Sequence, residues 1–468
     1  MDQLCARSFV DQLWMDSIVP QLIEYIRIPN LSPHFDPDWR DHGYMDDAVQ
    51  LVSRWCEQNA PSGMKIEVLR LPGRTPLLVM EIPGQTDDTV LLYGHLDKQP
   101  EMSGWEEGLG PWRPVLRGDR LYGRGGADDG YAAFASLAAI LALQDQDVPH
   151  ARCVVIIEAC EESGSFDLPA YIDHLGDRIG SPSLVVCLDS GAGNYEQLWL
   201  TVSLRGVVNG RLSVEVLREG VHSGGASGVV PSSFRVLRQL LDRIEDAETG
   251  ELLLPALQAG VPSDRLEEAR RVAEQLGDGV WQAYRFIDGM RPMGRNNLER
   301  VLGRTWYPTL SVTGADGLPA LDAAGNVLRP KTSLALSFRL PPTVDAGVAM
   351  QAIKSELERD PPSGARVSFH GEGAIGWNAP RLSPWLAEAL ERASQASFSK
   401  PFMCMGEGGS IPFMAMLGKA FPGAQFMISG VLGPQSNAHG PNEFLHTPFA
   451  RKLTCCVASV LADHCSRS

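Results

Sequence analysis

Apolar and polar residues follow two kinds of pattern up to about residue 198. Short continuous apolar runs indicate buried strands, whereas apolar residues three and four positions apart indicate helices. An opening helix is predicted over 10–28, with a kink or break at Pro20. Strands are predicted at 66–71, 77–82, 90–94, 153–158 and 184–188, and helices at 131–143 and 167–175. This alternation predicts an α/β layer with a largely parallel central sheet.

The pattern changes near Leu198, because the strands that follow are apolar only at alternate positions. Leu212, Val214 and Val216 alternate with polar residues, as expected for a sheet with one exposed face. The α/β pattern returns at Arg381 and includes a glycine-rich turn predicted at 406–409. We therefore predict a two-domain α/β protein. Its catalytic domain, residues 1–198 and 381–468, has a mixed, mostly parallel sheet flanked by helices, and an α+β domain is inserted at 199–380.

Composition excludes several classes of protein. The 468 residues are 44% hydrophobic and 21% charged, as in an ordinary globular protein. A formal net charge of −16 without a basic patch argues against a nucleic-acid partner. The sequence has neither a run long enough for a membrane span nor the features of a signal peptide. Its nine cysteines are scattered without a C-x-x-C pair, which predicts reduced thiols and a cytoplasmic location.

The first candidate site is the pair His95 and Asp97, which follows the predicted strand at 90–94. Loops after the carboxyl ends of such strands are where α/β folds place their chemistry. Residues two apart on a strand point to the same side. His95 can therefore bind a metal while Asp97 accepts a hydrogen bond from its other ring nitrogen. The alternative is a strand-end histidine that bonds to a neighbouring turn.

Two acidic pairs follow in similar positions. Asp128 and Asp129 lie in a glycine-rich loop before a predicted helix, where one carboxylate can bridge two cations. The alternative is a helix N-cap, which could hold for Asp129 even if Asp128 binds metal. Glu161 and Glu162 follow the strand at 153–158, where adjacent carboxylates repel each other. One can bind metal while the other acts as general base; the alternative is a solvated acidic loop.

Asp189 and His439 complete the candidate set. Asp189 ends the strand at 184–188 and His439 lies in a polar turn, so either can also be an ordinary turn residue. Nitrogen and carboxylate ligands together suit two divalent cations, zinc first and also manganese or cobalt.

The motifs together resemble the dimetal aminopeptidase/carboxypeptidase G/aminoacylase superfamily of metallopeptidases, most closely its carnosinase-type cytosolic nonspecific dipeptidase branch. The resemblance covers nearly the whole chain in order. Its segments are YGHLDKQP (93–100), LYGRGGADDG (121–130), EESGS (161–165), LDS (188–190), HSG (222–224), RLPP (339–342), EGGSIP (407–412) and AHGPNE (438–443).

The resemblance implies a ligand set for two metals. One metal would be held by His95, Asp128 and Asp189. The other would be held by Asp128, Glu162 and His439. The bridging residue would therefore be Asp128.

The resemblance also implies catalytic roles for three residues. Glu161 would be the general base that deprotonates a metal-bound water, and Asp97 would be the partner of His95. The inserted domain would be a lid through which the chain forms a homodimer. His222 would then reach the partner subunit's site and polarise the scissile carbonyl; otherwise it is a turn histidine.

Four residues resemble positions near the substrate. Asn326, Arg339 and Ser410 would bind the carboxylate and backbone of the substrate, and Glu407 would lie near the site. No motif anchors Asn326. A guanidinium suits a carboxylate because it binds both oxygens at once. The alternatives are a surface ion pair for Arg339 and a helix cap for Ser410.

The chain departs from the branch at two places. Gly130-Tyr131 stands where the branch usually has Lys-Gly, and Gly406 stands where it usually has Arg. Since none of these residues is a ligand, we expect catalysis to be retained and the substrate pocket to differ.

The predicted function is dimetal hydrolysis of the amide bond of dipeptides, or of similar small substrates with a free carboxylate. An alternative is an amidohydrolase that acts on N-acyl or N-carbamoyl amino acids. A dipeptidase needs a group that recognises a free α-amine, whereas an acylase needs an apolar acyl pocket, and the sequence leaves both open. A non-catalytic binding protein is disfavoured, because every ligand and the base are retained.

Overall fold

The protein is described by a computed structural model over residues 1–409 and 411–467. Its helices are α1 (Gln3–Leu13), α2 (Val19–Arg27), α3 (Trp39–His42), α4 (Tyr44–Gln58), α5 (Ala132–Gln144), α6 (Leu168–Ile179), α7 (Ser223–Ala226), α8 (Ser233–Leu241), α9 (Ser263–Leu276), α10 (Gly279–Gln282), α11 (Asn297–Thr305), α12 (Ala346–Glu358), α13 (Pro384–Phe398), α14 (Pro412–Ala420) and α15 (Thr447–Ser466).

Its strands are β1 (Lys65–Leu69), β2 (Leu77–Ile82), β3 (Thr89–His95), β4 (Val115–Arg117), β5 (Arg120–Tyr122), β6 (Arg152–Glu158), β7 (Leu184–Cys187), β8 (Trp199–Leu204), β9 (Gly206–Glu215), β10 (Val221–His222), β11 (Thr309–Asp316), β12 (Val327–Leu328), β13 (Lys331–Leu340), β14 (Arg366–Ala374), β15 (Trp377–Asn378), β16 (Met403–Glu407), β17 (Gln425–Ile428) and β18 (Phe444–His446).

The central sheet has six strands in the order β1-β2-β6-β3-β7-β17. Strand β3 pairs in parallel with β6 and β7, and β7 pairs in parallel with β17, whereas β2 joins β1 and β6 in antiparallel fashion. Every residue of β3 is buried, because helix α5 packs against it and α15 packs against α5. The prediction of an α/β fold with a mixed, mostly parallel sheet is confirmed.

A second sheet lies in the middle of the chain, in the order β11-β13-β9-β14, and all its pairs are antiparallel. Its buried side chains form a separate apolar cluster with α8 and α12, in which Leu212, Leu240 and Ile353 take part. This unit is the α+β part that the alternating pattern predicts. Helices α9 and α11 contribute instead to the larger apolar cluster, and their Val272 and Leu302 belong to it. The boundaries at 199 and 380 stay a prediction.

The structure differs from two local predictions. The opening helix begins earlier than predicted and is interrupted by a π-helical turn at Trp14–Ile18, after which α2 begins at Val19 with Pro20 in its first turn. Strand β16 begins three residues before the turn predicted at 406–409, includes its first two residues and pairs in parallel with β8. Its first three residues belong to a short apolar run at 402–405, which fits a strand or a helix equally well by pattern alone. Over the described residues, none of the helices combines the length and apolar character that a membrane span needs.

Candidate metal centre

Three neighbouring strand ends bring the candidate ligands together. His95 is the last residue of β3, and Asp189 comes two residues after β7. Glu161 and Glu162 begin a 3₁₀ turn that follows β6. Since β3, β6 and β7 are parallel neighbours, their carboxyl ends lie along one edge of the sheet. This topology therefore brings motifs that are far apart in the sequence together into one site.

The first group consists of His95, Asp128 and Asp189, all of which are buried. The Nε2 atom of His95 lies 3.4 Å from Oδ1 of Asp128 and 3.8 Å from Oδ2 of Asp189. One ligand atom from each residue lies within 4.8 Å of the other two. This spacing suits one cation between the three side chains.

The second group consists of Asp128, Glu162 and His439. The Nε2 atom of His439 lies 3.0 Å from Oδ2 of Asp128 and 3.3 Å from Oε2 of Glu162. The two oxygens of Asp128 thus face two different histidines. That is the arrangement a bridging carboxylate requires.

The residues present fit two divalent cations. Nε2 of His95 is buried and has no hydrogen-bond partner among the described residues. Burial, followed by repulsion from Asp128, raises the pKa of Asp189 to about 6. Burial and the Asp189 charge likewise hold the pKa of Glu161 well above its usual range. An unsatisfied imidazole beside crowded carboxylates is stabilised by positive charge, and mixed nitrogen and oxygen donors suit zinc-like ions.

Asp97 contacts more than the histidine. Nδ1 of His95 lies 3.1 Å from the main-chain oxygen of Asp97 and 3.5 Å from its carboxylate. The carboxylate accepts hydrogen bonds from the amides of Glu161 and Glu162, at 3.0 and 2.9 Å. Asp97 therefore orients the histidine and the acidic turn together, whereas the sequence predicted only the first contact.

Asp129 is not a helix cap. Helix α5 begins at Ala132 with Tyr131 at its cap position and has no side-chain cap bond. The Oδ2 atom of Asp129 accepts instead from the main-chain amide of His95 at 3.3 Å. The second aspartate of the pair thus supports the end of β3.

The two residues of the first departure from the branch pattern, Gly130 and Tyr131, face the protein interior. Gly130 packs against the ring of Tyr25, which leaves no space for a Cβ atom. Tyr131 is fully buried, and its hydroxyl donates to the main-chain oxygen of Leu188. Both residues therefore support the loops that carry the ligands, and their effect on the substrate pocket stays a prediction.

Gly406 is also enclosed. A Cβ atom there would lie 2.7 Å from Oγ of Ser203. Two arginines from other elements lie beside the same turn. Nε of Arg205 donates to the main-chain oxygen of Gly408 at 3.2 Å, and the stem of Arg304 passes close to Gly408. Two guanidinium groups, one from the junction of β8 and β9 and one from α11, therefore lie beside this turn.

His222 and Asn326 lie together but outside the ligand groups. His222 pairs with Val327 across β10 and β12, and the main-chain oxygen of Asn326 accepts from the amide of Ser223 at 2.9 Å. Both residues are exposed. The pairing of β10 with β12 therefore places Asn326 beside His222, and the roles of both residues stay predictions.

The other candidates for substrate binding lie near the arginines. Arg339 is half-buried on β13, opposite Val207 of β9. Glu407 ends β16, and its carboxylate packs against Gly191, two residues beyond Asp189. Ser410 lies outside the described residues.

Three polar residues that support the site were not identified as functional from the sequence. Nε2 of Gln99 donates to Oε2 of Glu162 at 2.7 Å. Arg124 and Glu443 form a buried ion pair between the loops that carry Asp128 and His439. All three lie inside the recognised motifs, and that position is the only signal that could have identified them.

Comparison with known proteins agrees with this geometry. The model of the family described as Peptidase family M20/M25/M40 matches residues 91–463. A cysteinylglycine-S-conjugate dipeptidase of Corynebacterium striatum is 26% identical over 429 residues, which is 89% of each chain. A human Beta-Ala-His dipeptidase is 26% identical over 439 residues, or 87% of this chain and 82% of that protein.

A solved structure shows the same fold. The di-peptidase Dug1p from Saccharomyces cerevisiae superposes with a TM-score of 0.81 at 20% identity, over 100% of this chain and 99% of that one.

Proposed function

This chain belongs to peptidase family M20/M25/M40, and from that membership we propose that it is a two-metal peptidase that hydrolyses dipeptides. The observation that carries the proposal is the Asp128 carboxylate, whose two oxygens face His95 and His439. Relatives named as dipeptidases along most of the chain support the substrate class.

We propose the ligand assignment that the two groups suggest. His95, Asp128 and Asp189 hold one cation, and Asp128, Glu162 and His439 hold the other. Zinc is the proposed metal, because imidazole and carboxylate donors suit it, with manganese or cobalt as the alternatives. Such cations polarise a scissile carbonyl and lower the pKa of water.

Glu161 is the proposed general base. It belongs to neither ligand group, yet its amide and that of Glu162 share the carboxylate of Asp97. Glu161 takes a proton from the attacking water and returns it to the leaving amine. Asp97 holds both Glu161 and His95, so base and ligand keep a fixed relation.

The free carboxylate of the substrate is assigned to Arg339 and its surroundings. Burial, followed by the charges of Arg339 and Arg304, lowers the pKa of Arg205 to about 10. Burial also lowers the pKa of Arg339. The guanidinium groups of Arg205 and Arg304 add positive charge to the region of Arg339, and a guanidinium can bind both oxygens of a carboxylate at once.

Glu407 is the proposed partner of the free α-amine. Its carboxylate packs on Gly191 and so lies next to the segment that carries Asp189. An acyl or carbamoyl substrate has no positive charge at that end and gains nothing from this contact. Glu407 therefore favours a dipeptide over an N-acyl amino acid.

A homodimer is the proposed assembly. His222 lies on β10 and Asn326 directly precedes β12, and both are exposed and outside the ligand groups of their own chain. We propose that they complete the partner subunit's site, where His222 polarises the carbonyl and Asn326 binds the substrate backbone. Ser410 as a substrate contact and the cytoplasmic location stay predictions from the sequence.

A substrate panel tests the function. Metal-loaded protein is assayed with β-alanyl-histidine, cysteinyl-glycine and the matching N-acetyl and N-carbamoyl amino acids. Cleavage of the dipeptides alone is expected, and Glu407→Gln should reduce this preference by weakening dipeptide hydrolysis. Hydrolysis of the acyl compounds alone would replace the proposal by an amidohydrolase. A parallel assay after chelation must show loss of activity that zinc restores.

A further inference from the structure

His439 is carried by a surface turn, not by a strand end. Its side chain is 52% exposed. The backbones of Asn437, His439 and Asn442 have positive φ angles of 55°, 64° and 61°. Such angles are uncommon for residues other than glycine. A turn of this kind needs contacts from outside to keep its shape.

A buried ion pair supplies those contacts. Arg124 and Glu443 have side chains that are 1% and 0% exposed. Nη1 of Arg124 donates to Oε2 of Glu443, and its Nη2 donates to the main-chain oxygen of Gly440 at 2.9 Å. Since Gly440 directly follows His439, the guanidinium holds the ligand's own stretch of backbone.

The same pair fastens two further loops. Oε1 of Glu443 accepts from the amide of Gly125 at 2.8 Å, and its main-chain oxygen accepts from Gly123 at 3.0 Å. Nε of Arg124 donates to the main-chain oxygen of Pro100 at 3.2 Å. The loop before the bridging aspartate, the loop after β3 and the turn of the second histidine are therefore joined at one point.

We propose that Arg124 and Glu443 are a positioning pair that holds His439 at the second cation, and that the first cation does not depend on them to the same degree. The proposal rests on the two-metal function proposed above. His95 ends β3 and is hydrogen-bonded through Asp97, whereas His439 has no strand to hold it. Removing one charge of a buried pair leaves the other without compensation, so the turn should move.

Cobalt titration of the metal-free, full-length protein tests this proposal, because the absorption of bound Co²⁺ reports each binding step. Glu443→Gln keeps the shape of the side chain and removes its charge. We expect about 10- to 100-fold weaker binding of the second Co²⁺, with the first changed by less than about three-fold. Arg124→Lys keeps the charge but loses the fork of donors, so a smaller loss in the same direction is expected.

Glu268→Gln is the matched control. It breaks the Arg265–Glu268 pair on α9, which lies outside both ligand groups, and both cobalt affinities should stay as in the unchanged protein. Melting curves of the metal-free variants check folding. If Glu443→Gln does not fold, Arg124→Lys makes the test, and it must weaken the second binding step more than the first.

Two results would overturn the positioning role: equal weakening of both binding steps, or an unchanged second step. A different result would show that the proposed function itself has failed. If the unchanged protein binds fewer than two Co²⁺ ions, the two-metal function falls, and this proposal falls with it.

Discussion

The six-stranded sheet and the four-stranded sheet of this chain differ in what surrounds them. The six-stranded sheet has strands such as β3 that are buried throughout, and its carboxyl edge carries the candidate metal ligands. The four-stranded sheet is covered by α8 and α12 on one face, and the face with Asn209, Arg211 and Val312 is exposed. Fixed geometry for chemistry therefore comes from the enclosed sheet, whereas the half-exposed unit carries groups that are proposed to bind the substrate and to complete the partner subunit's site.

The largest expected effect comes from the enclosed region. Glu161→Ala should reduce kcat by about 10²- to 10⁴-fold, because proton transfer is lost. Two cations should remain bound, since Glu161 belongs to neither ligand group. Glu162→Ala is the matched variant, and it should lose one cation. Steady-state kinetics measures the turnover of both variants, and metal analysis measures their bound cations. Substantial turnover by Glu161→Ala would exclude Glu161 as the general base.

A packing experiment compares the two sheets directly. Val155 on β6 is fully buried, whereas Val312 on β11 is 52% exposed. Val155→Ala should lower the free energy of unfolding by about 2–3 kcal/mol, from lost burial and a residual cavity. Val312→Ala should change it by less than about 0.5 kcal/mol. Denaturant unfolding of both metal-free variants measures the difference, and equal losses would contradict the contrast in burial.

The smallest expected effect concerns recognition by the second sheet. Arg339→Lys should lower kcat/KM for a dipeptide by about 10- to 100-fold, mainly through KM, since two-point binding of the carboxylate is lost. Because lysine keeps the charge but not the two-point contact, the same variant should discriminate less strongly between a dipeptide and its C-terminal amide. Arg211→Lys, at an exposed position on the neighbouring strand β9, is the control and should leave both quantities unchanged. Discrimination in Arg339→Lys as strong as in the unchanged protein would assign the carboxylate to another group.

The sequence predicts the fold class well because its two patterns have simple causes. A strand buried on both faces must be apolar throughout, and a strand with one solvent-exposed face must alternate between apolar and polar residues. It leaves β16 undecided, because the apolar run at 402–405 is short enough to fit a strand or a helix, and pairing with β8 decides the conformation. It also leaves the surroundings of Gly130 and Tyr131 undecided, because the ring of Tyr25 and the carbonyl of Leu188 come from distant parts of the chain.

The sequence by itself determined the residue types of the metal site, the order of their motifs and the strands that precede most of them. Those properties are local, since a ligand needs only its own chemistry and the strand end that presents it. Tertiary structure alone decided that Asp97 binds the acidic turn, that Asp129 supports the end of β3 and that Arg124 pairs with Glu443. These contacts join residues far apart in the chain, and their geometry exists only once the parallel strands have brought their carboxyl ends to one edge.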